Sequence, residues 1–320
     1  MIVRWGLEEL RGVLAAAGIE RPFLVASDRW SELSLPENAR WKEVPSHRID
    51  DAARATDGSD GLLVAGGGSA IDLTKAISSA TGLSFVSVPT TYSGAEWTTS
   101  FGIRSPDRLM KGHGSGAHPA GIVYEPKLTL DLPRGASGGT AMNALAHCAE
   151  ALYVEGHNPQ ADEDALEGAR LIGESLPSVL EDGHDLATRT TLLRGAMHAG
   201  AAFGSAGLGL AHAMAQAIGG RYGIAHGAAN ALCLPPALRF NEPIAGEPIA
   251  RFAGALGADD APGRCEELAR LSGFERLRDL GVPEDELDEV AEAAAARPGA
   301  LVNPRKATPA EVAELLRSIW

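Results

Sequence analysis

Hydrophobic positions in the first third of the chain alternate between helical spacing and short continuous runs. The segments LEELRGVLAAAG, HRIDDAARATDG and AIDLTKAISSATG, within residues 7–82, predict helices. The runs PFLVAS, GLLVAGGG and LSFVSVPTT, within residues 22–91, are typical of buried strands that end in turns. This alternation predicts an α/β fold with a doubly wound parallel sheet.

Strand patterns disappear after the segment GIVYEPKLTLDLPRGA, which covers residues 121–136. The following segments, such as TAMNALAHCAEALYVEG and ADEDALEGARLIGESLPSVLED, have helical patterns. We therefore predict an N-terminal α/β domain over residues 1–129 and an all-helical C-terminal domain over residues 130–320.

The composition of the chain argues against a nucleic-acid partner. A chain of 320 residues is long enough for two domains, each with its own core. Its 42 Asp and Glu outnumber its 28 Lys and Arg, and this excess of negative charge disfavours a nucleic-acid partner. The three cysteines, Cys148, Cys233 and Cys265, lack metal-pair spacing and are too few for a disulfide framework, so we expect a reducing compartment.

The start MIVRWGLEEL meets charged residues before an apolar region can form, so we expect no signal peptide. No apolar run approaches the length of a membrane span, and we expect no membrane partner. These observations predict a cytoplasmic protein.

A glycine triplet lies between a predicted strand and a predicted helix. Gly66, Gly67, Gly68 and Ser69 would let backbone N–H groups approach a pyrophosphate, and the helix N-terminus adds partial positive charge. A tight strand-to-helix turn is the alternative explanation. Asp72 falls in the first helical turn, where it either complements the helix dipole or contacts a cofactor or substrate.

Hydroxyl side chains follow the next strand in VPTTYSGAEWTTS, residues 88–100. Thr90, Thr91 and Ser93 would face the crevice in which parallel sheets bind ligands. Alternatively, these side chains satisfy their own backbone in a turn.

Three histidines and an asparagine form the third candidate group. Asn143 and His147 stand four residues apart on one predicted helix, and His212 and Gln216 repeat that spacing on another. His226 follows the turn GGRYG. A single histidine among small residues is more often buried with one partner, but three together can hold a divalent metal with an open position.

The order GGGSAID, PTTYSGAE, NALAH and HGAANALCLP resembles the iron-containing alcohol dehydrogenase superfamily over nearly the whole chain. The resemblance implies a dehydroquinate synthase-like fold, in which residues 1–129 form a nucleotide-binding domain and residues 130–320 a helical domain. It also implies NAD(P) and, in most members, a divalent metal such as Fe or Zn in the interdomain cleft. Within that superfamily, PTTYSGAE, NALAHCAEALY and HPAGIVYEPKLTLDLP look most like maleylacetate reductases. Those enzymes reduce a carbon–carbon double bond in a keto-acid from aromatic catabolism.

The resemblance also implies roles for the candidate residues. The run Gly66–Ser69 would hold the pyrophosphate, and Thr90, Thr91 and Ser93 would line the nicotinamide side. The metal-site constellation would be Asn143, His147, His212 and His226. Metal-dependent members have an aspartate at the position of Asn143, so we expect metal to bind weakly or not at all, with the imidazoles serving catalysis directly.

Two departures from the pattern widen the interpretation. Gln216 stands where both the alcohol dehydrogenases and the maleylacetate reductases usually carry a histidine. Asp72 matches the residue that the alcohol dehydrogenases have at this position. The sequence predicts an NAD(P)H-dependent reductase of a small keto-acid, in which His226 and His147 stabilise or protonate the enolate. Alternatives are a metal-dependent alcohol dehydrogenase, a non-redox lyase or cyclase, and a non-catalytic binding protein.

Three further expectations concern the choice between NAD(H) and NADP(H), the oligomeric state, and the place where the three histidines meet. Asp28 follows a predicted strand, where a carboxylate accepts from a ribose 2′-OH and repels a 2′-phosphate, so we expect NAD(H) rather than NADP(H); a turn cap is the alternative. The apolar strand MIVRW predicts a homodimer unless it pairs within its own sheet. We expect His147, His212 and His226 to converge at the base of the interdomain cleft, facing the glycine loop.

Overall fold

The computed structural model describes residues 1–320 and divides into two compact units. The N-terminal unit comprises residues 1–91 and 95–129, and the helical unit comprises residues 92–94 and 130–320. The short segment Tyr92–Gly94 therefore belongs to the helical unit although it lies within the sequence of the other. None of the helices is both long enough and apolar enough to span a membrane.

The N-terminal unit is built on a six-stranded sheet in which every neighbouring pair is parallel. Its strands, in the order β1-β8-β5-β4-β2-β3, are β1 Ile2–Trp5, β2 Pro22–Val25, β3 Ala39–Trp41, β4 Gly61–Gly66, β5 Phe85–Pro89 and β8 Gly121–Tyr124. The helices of this unit are α1 Leu10–Ala16, α2 Ile49–Arg54 and α3 Gly68–Thr81. The predicted doubly wound parallel sheet is confirmed.

Alternate residues of each strand point to opposite faces of this sheet, and both faces are covered. On one face Leu24 and Leu63 pack in a cluster with Val13 of α1. On the other face Phe23 and Leu62 pack in a cluster with helix α3. Burial on both faces explains why the central strands are continuous apolar runs in the sequence.

An antiparallel hairpin in the N-terminal unit was not predicted from the sequence. Its strands are β6 Ser100–Arg104 and β7 Met110–Ser115. In β6 only Phe101 and Ile103 are apolar, and in β7 only Met110 is, so the alternation is too short to predict a strand. Arg108 adopts a positive φ of 67° in the turn, a conformation that non-glycine residues rarely take.

The helical unit contains nine α-helices, as predicted for a region without strand patterns. They are α4 Arg134–Ala151, α5 Pro159–Glu181, α6 Leu186–Ala206, α7 Leu210–Tyr222, α8 His226–Ala255, α9 Ala261–Leu271, α10 Leu287–Ala295, α11 Pro298–Leu301 and α12 Pro309–Ser318. From Ser137 onward, α4 is buried almost throughout. Glycines permit close helix contacts, because a Cβ atom on Gly168 would lie 2.9 Å from the Cys148 sulfur. All three cysteines are buried free thiols.

Arg189 of α6 fastens the segment Tyr92–Gly94 to the helices. Its guanidinium is buried and donates to the Tyr92 hydroxyl at 3.0 Å and the Ser137 hydroxyl at 2.7 Å. The same side chain donates to the Gly183 carbonyl at 2.8 Å. The backbone N–H of Tyr92 donates to the Thr140 hydroxyl on α4. These bonds fix the segment beside the histidine-bearing helix.

Candidate functional site

The helical unit brings three imidazoles together. His147 comes from α4, His212 from the first turn of α7, and His226 is the first residue of α8. The ring centres of His147 and His212 are 4.7 Å apart, and those of His212 and His226 are 5.5 Å apart. Three elements distant in sequence therefore form one cluster. How this cluster is oriented toward the glycine turn remains a prediction.

Asn143 lies at the centre of the cluster, and its amide has a contact on every side. Its Nδ2 donates to the Ser93 carbonyl at 3.1 Å and lies 3.4 Å from the Nε2 atom of His147. Its Oδ1 accepts from Asn230 at 2.7 Å and lies 3.3 Å from the Nε2 atom of His212. An aspartate has no N–H to donate to Ser93 or His147. The local hydrogen bonding therefore explains why an amide occupies this position.

Asn230 is a site residue that sequence reasoning missed. It lies on α8 four residues after His226, and its Nδ2 is 3.1 Å from the Nε2 atom of that histidine. Because an amide nitrogen only donates, the His226 Nε2 accepts in this contact. The spacing of four residues, the same as between Asn143 and His147, was the available signal.

Glu150 is the second missed residue, and it supports His212. Its fully buried carboxylate lies 2.6 Å from the Nδ1 atom of His212. It also accepts from the backbone N–H groups of Gly209 and Ala211, both at 2.7 Å, at the start of α7. Glu150 follows Asn143 by seven residues, two helical turns, so both side chains share one face of α4.

A carboxylate at this place stabilises α7 as well as the imidazole. Negative charge at a helix N-terminus interacts favourably with the helix dipole and with backbone donors that lack partners within the helix. The carboxylate also fixes a proton on the Nδ1 atom of His212. The Nε2 atom of the same ring faces the Asn143 Oδ1 at 3.3 Å, so both ring nitrogens of His212 have a polar neighbour.

His147 has a different environment. Burial lowers its pKa well below the usual value, and the neighbouring His212 and His226 lower it further. It therefore stays neutral, with Nε2 accepting from Asn143 and a proton on a buried Nδ1 that has no partner. The Phe203 ring stacks on it at 4.4 Å. Gly94 completes the enclosure, because a Cβ atom there would lie 3.4 Å from the His147 Nδ1.

A divalent metal, as found in most of the superfamily, does not fit this donor set. The Nε2 atoms of all three histidines lie within 3.4 Å of an amide of Asn143 or Asn230. No carboxylate oxygen is placed among these nitrogens, because both oxygens of Glu150 contact the Nδ1 side of His212 and the start of α7. The side-chain amides satisfy the atoms that a cation would use.

The glycine turn in the N-terminal unit fits a dinucleotide phosphate. A Cβ atom on Gly67 would lie 2.7 Å from Thr91, and one on Gly66 would lie 2.6 Å from the Ala70 Cβ, so packing alone requires glycine at both positions. Helix α3 begins at Gly68 and has no side-chain cap at its N-terminus. Its first backbone amides, including that of Ser69, have no partner within the helix and can bind an anion.

Thr91 is a second observation, separate from the glycine turn, that favours a phosphate at this place. Its hydroxyl oxygen is buried without a hydrogen-bond partner and lies beside the glycine turn. Buried hydroxyls normally have a partner, so this one is a candidate donor to a phosphate bound at the glycine turn. Thr90 is also buried, and its backbone N–H donates to the Gly66 carbonyl at 3.1 Å. These two residues therefore lie at the end of β5 next to the turn.

The other predicted residues have contacts of their own. The Asp72 carboxylate accepts from the Gly102 N–H at 3.1 Å and lies 3.4 Å from the Lys75 ammonium, and burial raises its pKa. The Asp28 side chain is 75% exposed and lies 2.9 Å from the Lys42 ammonium. Asp72 thus braces the hairpin, whereas Asp28 is open to a ligand.

Comparison with known proteins gives a consistent result. The C-terminal pattern of the Fe-containing alcohol dehydrogenase family matches residues 138–320, and an iron-containing alcohol dehydrogenase pattern matches residues 23–123. Maleylacetate reductase from Burkholderia cepacia is 36% identical over 249 residues, which cover 78% of this chain and 70% of that protein.

Two solved structures cover the whole chain. One is the maleylacetate reductase from Agrobacterium tumefaciens, with a TM-score of 0.89, 29% identity and 95% of that chain covered. The other is a putative alcohol dehydrogenase from Ralstonia eutropha JMP134, with a TM-score of 0.92, 30% identity and 95% coverage. The predicted resemblance is confirmed, and the chain is an oxidoreductase that belongs to the iron-containing alcohol dehydrogenase family.

Proposed function

We propose that this enzyme uses NADH to reduce the carbon–carbon double bond of a small unsaturated keto-acid, as maleylacetate reductases do. The observation that carries the proposal is the Asn143 amide, which joins the imidazole cluster where metal-dependent relatives have a carboxylate. A cluster of imidazoles without a cation suits an anionic substrate and an enolate intermediate.

A bound NADH supplies the hydride for this reaction. Hydride addition at the carbon β to the keto group moves the double-bond electrons toward the keto oxygen and forms an enolate. A proton then returns to the α carbon, so the product contains one added hydride and one added proton. The residues of the chain have to stabilise the enolate and deliver that proton.

His212 and His226 are the groups suited to this task. Glu150 stabilises a positive charge on His212, and His226 is partly exposed at the start of α8. His147 is buried and neutral, and its low pKa prevents it from carrying the proton at neutral pH, so it only lines the site. This assignment shifts the acid role from His147 toward His212, compared with the expectation from sequence.

A metal-dependent alcohol dehydrogenase is the second candidate. One observation favours it: a carboxylate behind a histidine, as Glu150 is behind His212, is the usual support for a metal-ligating imidazole. A lyase or cyclase and a binding protein are the remaining alternatives. Neither of these consumes NADH, so cofactor oxidation separates both from a reductase.

The central test is NADH consumption with maleylacetate, before and after treatment with a chelator. We expect turnover with this substrate and no loss of activity after the chelator, because the imidazoles act without a cation. His226→Ala should lower kcat about 100-fold, which is typical for loss of a catalytic acid. Stoichiometric metal whose removal abolishes activity and whose return restores it would establish the alcohol dehydrogenase alternative.

Asn143→Asp is the matched variant for the same experiment. It places a carboxylate oxygen against the Ser93 carbonyl and the His147 nitrogen, a repulsion that a cation relieves. We expect elemental analysis to find more bound zinc in Asn143→Asp than in wild type, and lower activity with maleylacetate. Equal zinc content in the two proteins would contradict this account of Asn143.

Glu150→Gln tests the support of His212. The amide of glutamine meets N–H donors on every side and cannot stabilise an imidazolium, so we expect kcat to fall about 10–100-fold with little change in KM. Glu163→Gln, at an exposed position on α5, is the matched control and should keep full activity. An unchanged kcat in folded Glu150→Gln would refute the role of this carboxylate.

Asp28 should determine cofactor choice. We expect a higher kcat/KM with NADH than with NADPH, and Asp28→Ser should reduce that preference about tenfold, because a carboxylate discriminates against a 2′-phosphate. Lys42→Met removes the cation beside Asp28 and should strengthen the preference for NADH. A wild-type preference for NADPH would show that Asp28 does not read the ribose.

We also propose a homodimer formed through β1. The strand pairs within its own sheet, with β8, which is the alternative to a dimer given by the sequence. Because β1 lies at the edge of that sheet, its other side can still pair with a second copy. Light scattering at micromolar concentration should give twice the mass of the chain. A monomer mass under those conditions would exclude the dimer.

A further inference from the structure

Arg297, just before α11 in the helical unit, is a guanidinium without an acidic partner. Its Nε atom is buried and makes no hydrogen bond. Its one hydrogen bond from the side chain is a long one, 3.4 Å from Nη1 to the Gln216 Oε1. Other arginines of this unit, such as Arg170 and Arg221, are paired with glutamates.

The lack of an acidic partner is unusual for a partly buried cation. Burial lowers the pKa of Arg297, and no carboxylate offsets this effect. Arg189 also lacks an acid, but its nitrogens donate to two hydroxyls and to the Gly183 carbonyl. Unused donors on a partly desolvated guanidinium are arranged to meet an anion, and a carboxylate matches the planar fork of arginine.

The place of Arg297 connects it with the imidazole cluster. Gln216, which contacts the guanidinium, lies on α7 four residues after His212, on the same face of the helix. One helical turn corresponds to about 5.4 Å along the axis. Arg297 is therefore linked through Gln216 to the turn of α7 that follows His212, and a bound keto-acid would have to bridge the guanidinium and the imidazole.

We propose that Arg297 is the carboxylate-binding residue of the substrate site, with Gln216 as the group that orients it. The inference rests on the proposed function, which it deepens: the substrate is a dicarboxylic keto-acid whose carboxylate remote from the reacting carbons binds Arg297. Gln216 stands where relatives usually have a histidine, and its Oε1 is an acceptor that holds the guanidinium without neutralising it.

Steady-state kinetics with maleylacetate test the proposal. A charged hydrogen bond contributes about 1.5–3 kcal/mol, so Arg297→Met should raise KM about 10–100-fold while kcat changes little. Arg297→Lys keeps the charge without the fork and should have an intermediate KM. Arg270→Met, at an exposed position on α9, is the matched control and should behave as wild type.

Calorimetric titration with malonate gives a readout independent of turnover. Wild type should bind this dicarboxylate about 10–100-fold more tightly than Arg297→Met, and uncharged malonamide should show no difference. If Arg297→Met does not fold, the same comparison is made with Arg297→Lys. The inference is overturned if wild type and the folded variant have the same malonate affinity and the same KM.

The kinetics with maleylacetate and the titration with malonate together distinguish failure of this inference from failure of the proposed function. If wild type oxidises no NADH with maleylacetate but malonate binding depends on Arg297, the carboxylate site stands and the proposed reaction is wrong. If wild type reduces maleylacetate and neither KM nor malonate affinity depends on Arg297, the reaction stands and the carboxylate site is wrong.

Discussion

The hydrogen bonding of one side-chain amide, that of Asn143, holds the candidate site together. It joins the Ser93 carbonyl, the amide of Asn230 and two imidazoles, which come from different parts of the helical unit. Buried polar groups are costly when they lack partners, so each of these groups depends on the others to remain buried. A change of charge at this centre would disturb all of them.

Charge in the site is balanced by the protein itself. The Glu150 carboxylate contacts an imidazole on one side and the start of α7 on the other, so one buried side chain both caps a helix and orients His212. Buried ions are tolerated when their remaining lone pairs are hydrogen-bonded, as they are here. The Glu150 carboxylate thus determines both the ordering of the first turn of α7 and the chemistry of His212.

Much of this arrangement could be predicted from the sequence, and the features that could not be predicted were missed for physical reasons. Continuous apolar runs identify the central strands because both faces of the sheet are buried. The hairpin β6–β7 has a weaker signal, since its strands are short and β7 consists mainly of glycines and polar residues. Spacing alone placed Asn143 and His147 on one face. It could not show that Glu150 is buried, because a glutamate on a helix normally faces solvent.

The close approach of α5 and α6 limits how this protein can vary. Gly195 of α6 has no room for a methyl group, which would lie 2.7 Å from Ile172, and Gly168 is similarly enclosed. Helix interiors elsewhere usually gain stability when glycine is replaced by alanine, by about 1 kcal/mol. Here that route is closed in the helices around the site. It stays open at Gly12 on α1 and at Gly254, at the end of α8 opposite His226, where no atom lies within 4 Å of an added Cβ, so adaptation to higher temperature would begin away from the imidazole cluster.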